Sequence, residues 1–203
     1  MKKTLAIILC VAMVLSLVFA LGACGKKQDG GDTTSTSSNS GKDVKGETVD
    51  TTVFKAVCPK GWLNIPQTDV WGEQDEDGNY PLKTDALQFC KGAKSEWDAF
   101  SKPSVNIYML TSSVDDTIDG FGWWYKTVEE TTFSINGADV RGCKITDDNL
   151  SGDGEYKYEC AFINVGGVDF QIMLMTQDDD GSETGLSMAD PEVQAIIGSI
   201  ELD

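Results

Sequence analysis

TVEETTFSINGADVRGCKIT, residues 127–146, holds the clearest local signal in the chain. The dipeptide Asn136-Gly137 lies between two runs rich in β-branched and aromatic residues. It predicts a type I′ turn, because both central residues of that turn need positive φ. The turn makes residues 127–135 and 138–146 an antiparallel hairpin with Phe133 opposite Val140. The rest of the sheet is built outward from this hairpin.

A second hairpin follows, in which Gly166-Gly167 joins residues 156–165 to residues 168–176. Its strands carry apolar side chains on both faces. A strand that is apolar on both sides is covered on both sides, so the pattern predicts helices on both faces of the sheet. One face carries Val168, Phe170, Ile172 and Leu174, and the other carries Tyr158, Cys160, Phe162, Met173 and Met175.

Shorter strands are predicted before the hairpins, at residues 53–58, 86–90 and 105–111. Pro59 ends the first of these strands. The segment after it shows no regular spacing of apolar residues. The spacing of apolar residues over 93–100 is typical of a short helical turn.

Two helices flank the hairpins. Ser113 and Asp116 form a capping box before an apolar stripe that runs to Tyr125. Asp190-Pro191 predicts the start of a closing helix, because Asp is a good N-cap and Pro is favoured at the first helical position. The fold class is therefore α+β, an antiparallel sheet of about six to seven strands with helices on both faces.

Three short motifs resemble the PsbP-like fold, which includes photosystem oxygen-evolving accessory subunits and the DcrB-like bacterial lipoproteins. They are Phe54-x3-Cys58-Pro59-x-Gly61-Trp62, Ile135-Asn136-Gly137 and Ile196-Ile197-Gly198-Ser199-Ile200. The resemblance implies an α/β/α sandwich over the globular part of the chain. These motifs carry no catalytic residue, so they imply a fold and hardly a function. The cysteines depart from the family pattern.

The first apolar run ends in Leu21-Gly22-Ala23-Cys24, which resembles a bacterial lipobox. Lys2 and Lys3 form a positive n-region, and residues 5–21 form an apolar h-region. The resemblance implies cleavage before Cys24 and acylation of its thiol. We therefore expect anchoring on the outer face of a bacterial plasma membrane, with a Gram-positive host favoured. The alternative is an uncleaved transmembrane anchor, which gives the same compartment.

Residues 24–50 are rich in Gly, Ser, Thr, Asp and Lys and cannot bury a core. We expect the lipidated Cys24 to be followed by a flexible tether with an end-to-end distance of about 25 to 30 Å. Residues 1–23 are then a signal peptide, and residues 51–203 form one globular domain of ordinary size.

Four cysteines remain in the domain, and an even number in an extracytoplasmic protein predicts disulfides. A four-thiolate zinc site is the alternative, but it needs closely spaced cysteine pairs that this sequence lacks. Three pairings are possible. A hairpin symmetric about the 147–154 loop sets Cys143 opposite Cys160, with Cα atoms about 4.5 to 5.5 Å apart. Adjacent strands are expected to pair Cys58 with Cys90.

Charge excludes some partners. The chain has 16 basic and 33 acidic residues, a net charge of −17, and loss of the signal peptide leaves 14 basic residues and a net charge of −19. Nucleic acid and anionic lipid surfaces are bound through clusters of Lys and Arg. Because Arg141 is the only arginine, neither partner is expected.

The sequence contains no histidine, which removes Ser-His-Asp and Cys-His catalysis and every His-ligated metal site. A carboxylate-based hydrolase remains the enzymatic alternative. The loops at 73–78 and 147–152 resemble the first half of a calcium loop, and residues 178–180 add a third acidic cluster. The twelfth loop positions are Thr84 and Tyr158 instead of Glu, so solvated turns are favoured over calcium sites. No metal or other cofactor is predicted.

The remaining candidates for a binding site are aromatic. Trp62, Trp71, Trp123 and Trp124 are many tryptophans for one small domain, and they either line a binding groove or pack in the core. We expect a non-enzymatic binding or accessory lipoprotein for a protein or an envelope component. The alternatives are the carboxylate-based hydrolase and a small-ligand or solute-binding lipoprotein.

Overall fold

The computed structural model describes residues 45–100, 102–148, 154–178 and 180–203. Two α-helices and a short 3-10 helix, Glu96–Phe100, accompany the strands within these ranges. The helices are α1 (Val114–Trp124) and α2 (Pro191–Gly198). The strands are β1 (Gly46–Asp50), β2 (Phe54–Pro59), β3 (Trp62–Ile65), β4 (Ala86–Lys91), β5 (Ser104–Met109), β6 (Thr127–Ile135), β7 (Ala138–Asp148), β8 (Glu155–Val165), β9 (Val168–Gln177) and β10 (Glu201–Leu202).

A seven-stranded antiparallel sheet has the order β3-β4-β5-β9-β8-β7-β6. It confirms the α+β class and the predicted size of the sheet. The β6–β7 turn is as expected, since Asn136 and Gly137 have φ of 52° and 84° and Phe133 lies opposite Val140. The tip of this hairpin is tied to α2, where the Asn136 side-chain amide donates to the Gln194 carbonyl at 2.9 Å.

A second, three-stranded sheet has the order β1-β2-β10. Its strand β1 lies in the segment that sequence patterning assigned to the tether, so the predicted boundary at residue 50 is wrong. The strand reads GETVD and has no apolar period; it forms because β2 offers a ladder partner over its whole length. Gly46 permits this close pairing, since a Cβ there would lie 2.1 Å from the Cys58 carbonyl oxygen.

The main core lies on one face of the seven-stranded sheet, beneath β2 and α2. Phe54 of β2 packs edge-on against Phe170 of β9, with ring centroids 5.0 Å apart, and both side chains are fully buried. Burying such side chains stabilises the fold by about 1.5 to 3 kcal/mol each. Helix α2 adds Val193, Ile196 and Ile197, and the sheet adds Leu87, Phe89, Val105, Ile107, Ile172 and Leu174.

A second core lies on the opposite face of the sheet, beneath α1. Ile118 and Phe121 of α1 pack there with Cys143, Ile145, Cys160 and Phe162. The helix begins as predicted, because the Asp116 N–H donates to the Ser113 hydroxyl at 3.1 Å. Helices therefore cover both faces of the sheet.

Residues 68–82 form a compact unit distinct from the sheets. Within it, the Asp69 N–H donates to the Pro81 carbonyl at 2.8 Å, and an isolated bridge joins Thr68 to Leu82. Trp71 of this unit is 85% exposed. No helix in the described ranges has the length and apolar character needed to cross a membrane.

Candidate binding cleft

A cleft of about 770 Å³ lies between β1, an edge strand of the three-stranded sheet, and β3, an edge strand of the seven-stranded sheet. Ligand sites commonly enclose about 300 to 1,000 Å³, so the cleft is large enough for a small molecule or a short peptide. All of β1 lines it, together with Lys45. Its other lining residues are Cys58, Pro59, Lys60, Gly61, Trp62, Leu63 and Asn64.

The N–H and C=O groups of successive β1 residues point alternately toward β2 and toward the outer edge of the sheet. The Thr51 N–H donates to the Phe54 carbonyl, and the Lys60 N–H donates to the Lys45 carbonyl, each at 3.0 Å. Residues two apart in an antiparallel ladder bond in the same direction, so residues 47 and 49 also bond to β2. Thr48 lies between them and directs its N–H and C=O away from β2.

The same alternation applies to β3. The Gly92 N–H donates to the Gly61 carbonyl at 2.9 Å, which makes Leu63 and Ile65 the next residues that bond to β4. Asn64 lies between them, so its main-chain groups face the open edge of the seven-stranded sheet. The cleft is therefore bordered by two strand edges whose outward main-chain groups face no further strand in the described part of the chain.

Trp62 lies in the wall of the cleft with 8% of its surface exposed. The Lys91 ammonium is 5.5 Å from its ring centroid, a cation–π geometry. Lys91 is held there by Glu192 at 2.7 Å and Asp190 at 3.6 Å, at the start of α2. These acidic partners raise the pKa of Lys91, so it stays charged over Trp62.

Two buried polar atoms in the cleft wall lack a hydrogen-bond partner among the described residues: the indole Nε1 of Trp62 and the side-chain Oδ1 of Asn64. Both atoms are closed to solvent, and leaving such a group unpaired costs about 1 to 3 kcal/mol. One atom is a donor and the other an acceptor.

The charges around the cleft balance. Lys45 and Lys60 contribute two positive charges, and Glu47 and Asp50 contribute two negative charges. Cys58 is 6% exposed, and burial, helped by the Glu47 charge, raises its pKa to about 11. Its thiol is therefore neutral near pH 7 and is a poor nucleophile.

The cysteine predictions have mixed outcomes. Cys143 lies directly opposite Cys160 in the β7–β8 ladder, which confirms the predicted register, and all four thiols are free in this structure. The expected adjacency of Cys58 and Cys90 is wrong. Cys58 packs in the main core, whereas Cys90 points to the other face of the sheet and contacts the Asp98 carbonyl oxygen at 3.8 Å.

Trp62 lies apart from Trp123 and Trp124. Trp62 lines the cleft, while Trp123 and Trp124 end α1 on the opposite side of the sheet and are 86% and 68% exposed. Trp71 belongs to the 68–82 unit. Sequence reasoning did not select Asn64 or Thr48. Side chains two residues apart on a strand lie on the same face, so the spacing Trp62-x-Asn64 could have placed Asn64 beside Trp62. That inference requires the segment to be recognised as a strand, which the sequence did not allow.

In the first acidic loop, residues 73–78, hydrogen bonds within the loop and to Asn79 account for the position of the Asp75 carboxylate. The Asp75 carboxylate accepts the N–H of Asp77 at 3.0 Å and the N–H of Asn79 at 2.8 Å. These bonds, with those to the Asn79 side chain, lower the pKa of Asp75. Residues 149–153 of the second loop and Asp179 of the third lie outside the described residues. The described ranges contain no group of acidic or cysteine side chains arranged to hold a metal ion.

No protein-family model and no curated protein matches the chain. Among solved structures, it is similar to a crystal structure from Bacteroides thetaiotaomicron VPI-5482, with a TM-score of 0.44 and 13% sequence identity. The match covers 79% of this chain and 49% of the other, so the chain spans about half the length of that neighbour.

Proposed function

We propose that this protein is an extracytoplasmic lipoprotein of a bacterial plasma membrane, anchored through Cys24 and built on a PsbP-like domain. It acts as a non-enzymatic binding module for a protein or another envelope component. Its binding site is the cleft between β1 and β3.

The cleft itself carries this proposal. It is large enough for a small molecule or a short peptide, and Trp62 lies in its wall. Trp is also among the residues most often found at the energetic centre of an interface.

The chemistry of the cleft favours binding over catalysis. The Cys58 thiol is kept neutral by burial, and the sequence has no histidine to activate it. Burial raises the pKa of Asp147, but this carboxyl does not line the cleft. Among the described residues it is close to Tyr125 and Tyr158, whose pKa values are also raised by burial.

Site-specific photocrosslinking tests the binding site. The full chain is produced in a bacterial host of its own envelope type with p-benzoylphenylalanine in place of Lys60, an exposed residue of the cleft rim. The control carries the same group in place of Lys144, an exposed lysine on β7. Irradiation of whole cells should give a discrete adduct at position 60 and none at position 144. Failure to form an adduct at position 60, or identical adducts at both positions, would refute the proposed site.

The anchor is tested separately with Cys24→Ser. Without the acceptor thiol, the chain should remain an unprocessed precursor and should lose labelling by a fatty-acid probe. Unchanged labelling would contradict lipidation at Cys24.

A further inference from the structure

We infer that α1 is a lid that controls the oxidation of Cys143 and Cys160: a disulfide oxidant joins the two thiols only while α1 is lifted from the sheet. This inference concerns the face of the sheet opposite the main core, and it is independent of the cleft and its proposed ligand. It is carried by the register of β7 and β8, by the burial of both thiols and by the contacts that hold α1.

Cys143 of β7 and Cys160 of β8 lie directly opposite each other, so their side chains share one face of the sheet. Opposed residues of an antiparallel pair have Cα atoms about 4.5 to 5.5 Å apart, a separation that a disulfide accepts. Joining the two sulfurs therefore requires no change of register. The pair is arranged to form a bond whenever an oxidant reaches it.

Helix α1 closes off both thiols, neither of which has any exposed surface. They pack in one cluster with Ile118 and Phe121 of α1. The Phe121 ring stacks on that of Phe162, two residues along β8 from Cys160, with centroids 6.3 Å apart. Burial also raises the pKa of each of the two cysteines, so the thiolate that attacks a disulfide is scarce while α1 is docked. Oxidation therefore waits for α1 to open.

Opening of α1 costs less than opening of the sheet beneath it. Only Ile118 and Phe121 of its eleven residues are buried, and its two glycines lower its helix propensity. Arg141 of β7 binds Asp115 of α1, but both side chains are partly exposed, and such a pair adds little stability. β7 and β8 are each paired with a strand on both sides. Because elements with few buried contacts open locally, α1 lifts while the ladder stays intact.

The reaction is a thiol–disulfide exchange, for which oxidised glutathione is a suitable oxidant. The thiolate of one cysteine attacks the oxidant, forms a mixed disulfide and releases one glutathione. The second cysteine attacks the mixed disulfide, which forms the bond between Cys143 and Cys160 and releases the second glutathione. The two cysteines are oxidised, the oxidant is reduced to two thiols, and the two cysteine protons pass to the released thiolates.

The test measures how fast oxidised glutathione joins Cys143 to Cys160 in the full chain, reduced beforehand and purified in detergent. Samples are quenched with acid, alkylated and digested, and the linked peptide is quantified. Ile118→Val shortens a side chain of α1 in the cluster around the thiols, and Ile196→Val makes the same change of α2 in the main core. We expect Ile118→Val to speed formation of the linked peptide about two- to tenfold, and Ile196→Val to leave the rate unchanged.

The matched pair of variants separates local opening from unfolding of the whole domain. Equal acceleration by Ile118→Val and Ile196→Val would mean that oxidation requires global unfolding. An unchanged rate in both would mean that the oxidant reaches the thiols with α1 docked. Either result would overturn the inference, as would oxidation of the folded wild-type chain as fast as that of the chain unfolded in urea.

Discussion

The Lys91 ammonium lies 5.5 Å from the ring centroid of Trp62 and joins the cleft wall to the start of α2 through Glu192 and Asp190. One side chain thus connects three parts of the domain: β3, β4 and the closing helix. The position of the indole depends on this contact as well as on the main core around it.

Lys91→Met should lower the free energy of unfolding by about 1 kcal/mol, the combined size of a cation–π contact and partly exposed ion pairs. For a domain of this length, the melting temperature should fall by about 2 to 4 °C. Lys94→Met is the matched control, because Lys94 is exposed and has no ion pair among the described residues; its effect should be within about 0.5 kcal/mol. Equal effects of the two variants, measured by thermal unfolding, would show that Lys91 does not support the cleft wall.

Gly46→Ala should detach or displace β1. The added Cβ would lie 2.1 Å from the Cys58 carbonyl oxygen, and backbone atoms cannot yield as a flexible side chain can. We expect faster amide hydrogen exchange at Val49, whose N–H bonds to β2, and a destabilisation of about 1 to 3 kcal/mol. Gly120→Ala is the control in α1, where an added Cβ meets nothing within 4 Å; it should stabilise the helix by about 0.5 to 1 kcal/mol. Unchanged exchange at Val49 in Gly46→Ala would contradict the close β1–β2 pairing.

Stability should fall in alkali. The ordinary pKa of a Cys thiol is 9.0, and that of Cys58 is raised to about 11, so between these values the folded chain binds one more proton than the unfolded chain. The free energy of unfolding should therefore decrease with rising pH, by about 1.4 kcal/mol per pH unit for this group. Urea unfolding at several pH values measures the slope. Burial also raises the pKa values of Cys90, Cys143 and Cys160, so Cys58→Ala should reduce the slope by the share of one group, and an unchanged slope in that variant would rule out a contribution from Cys58.

Peptide mapping of unreduced protein from native membranes should find a single disulfide, between Cys143 and Cys160. Their direct opposition on β7 and β8 brings the Cα atoms within the range that a disulfide accepts. Cys58 and Cys90 should remain thiols, because Cys58 packs in the main core whereas Cys90 points to the other face of the seven-stranded sheet. A link between Cys58 and Cys90 would contradict this arrangement.

The elements that the sequence predicts well are those whose signals are local. Asn136-Gly137 and Gly166-Gly167 specify their turns through positive φ, and the alternation on either side sets the register that puts Cys143 opposite Cys160. Ser113 specifies the start of α1 in the same local way.

The elements that the sequence misses depend on distant partners. β1 is polar and β3 has only four residues, so neither shows the alternation of apolar and polar residues that predicts a strand. β1 is a strand because it pairs with β2, and β3 is a strand because it pairs with β4. The error over Cys58 and Cys90 has the same origin, because nothing local indicates that β2 leaves the main sheet. The cleft lies between these two edges, so its identification required the fold, although Trp62 was a candidate from the sequence.

The most direct test of the central claim is the yield of the photocrosslink from position 60 in a chain that also carries Trp62→Phe. This change keeps an aromatic ring in the main core but removes part of the indole surface in the cleft wall, and truncating a tryptophan at the centre of a binding site commonly costs more than about 1 kcal/mol. With Trp124→Phe as the control on the far side of the sheet, the account predicts about a tenfold lower yield for Trp62→Phe and no change for Trp124→Phe. An undiminished yield in the Trp62→Phe chain would contradict the claim that the cleft around Trp62 binds the ligand.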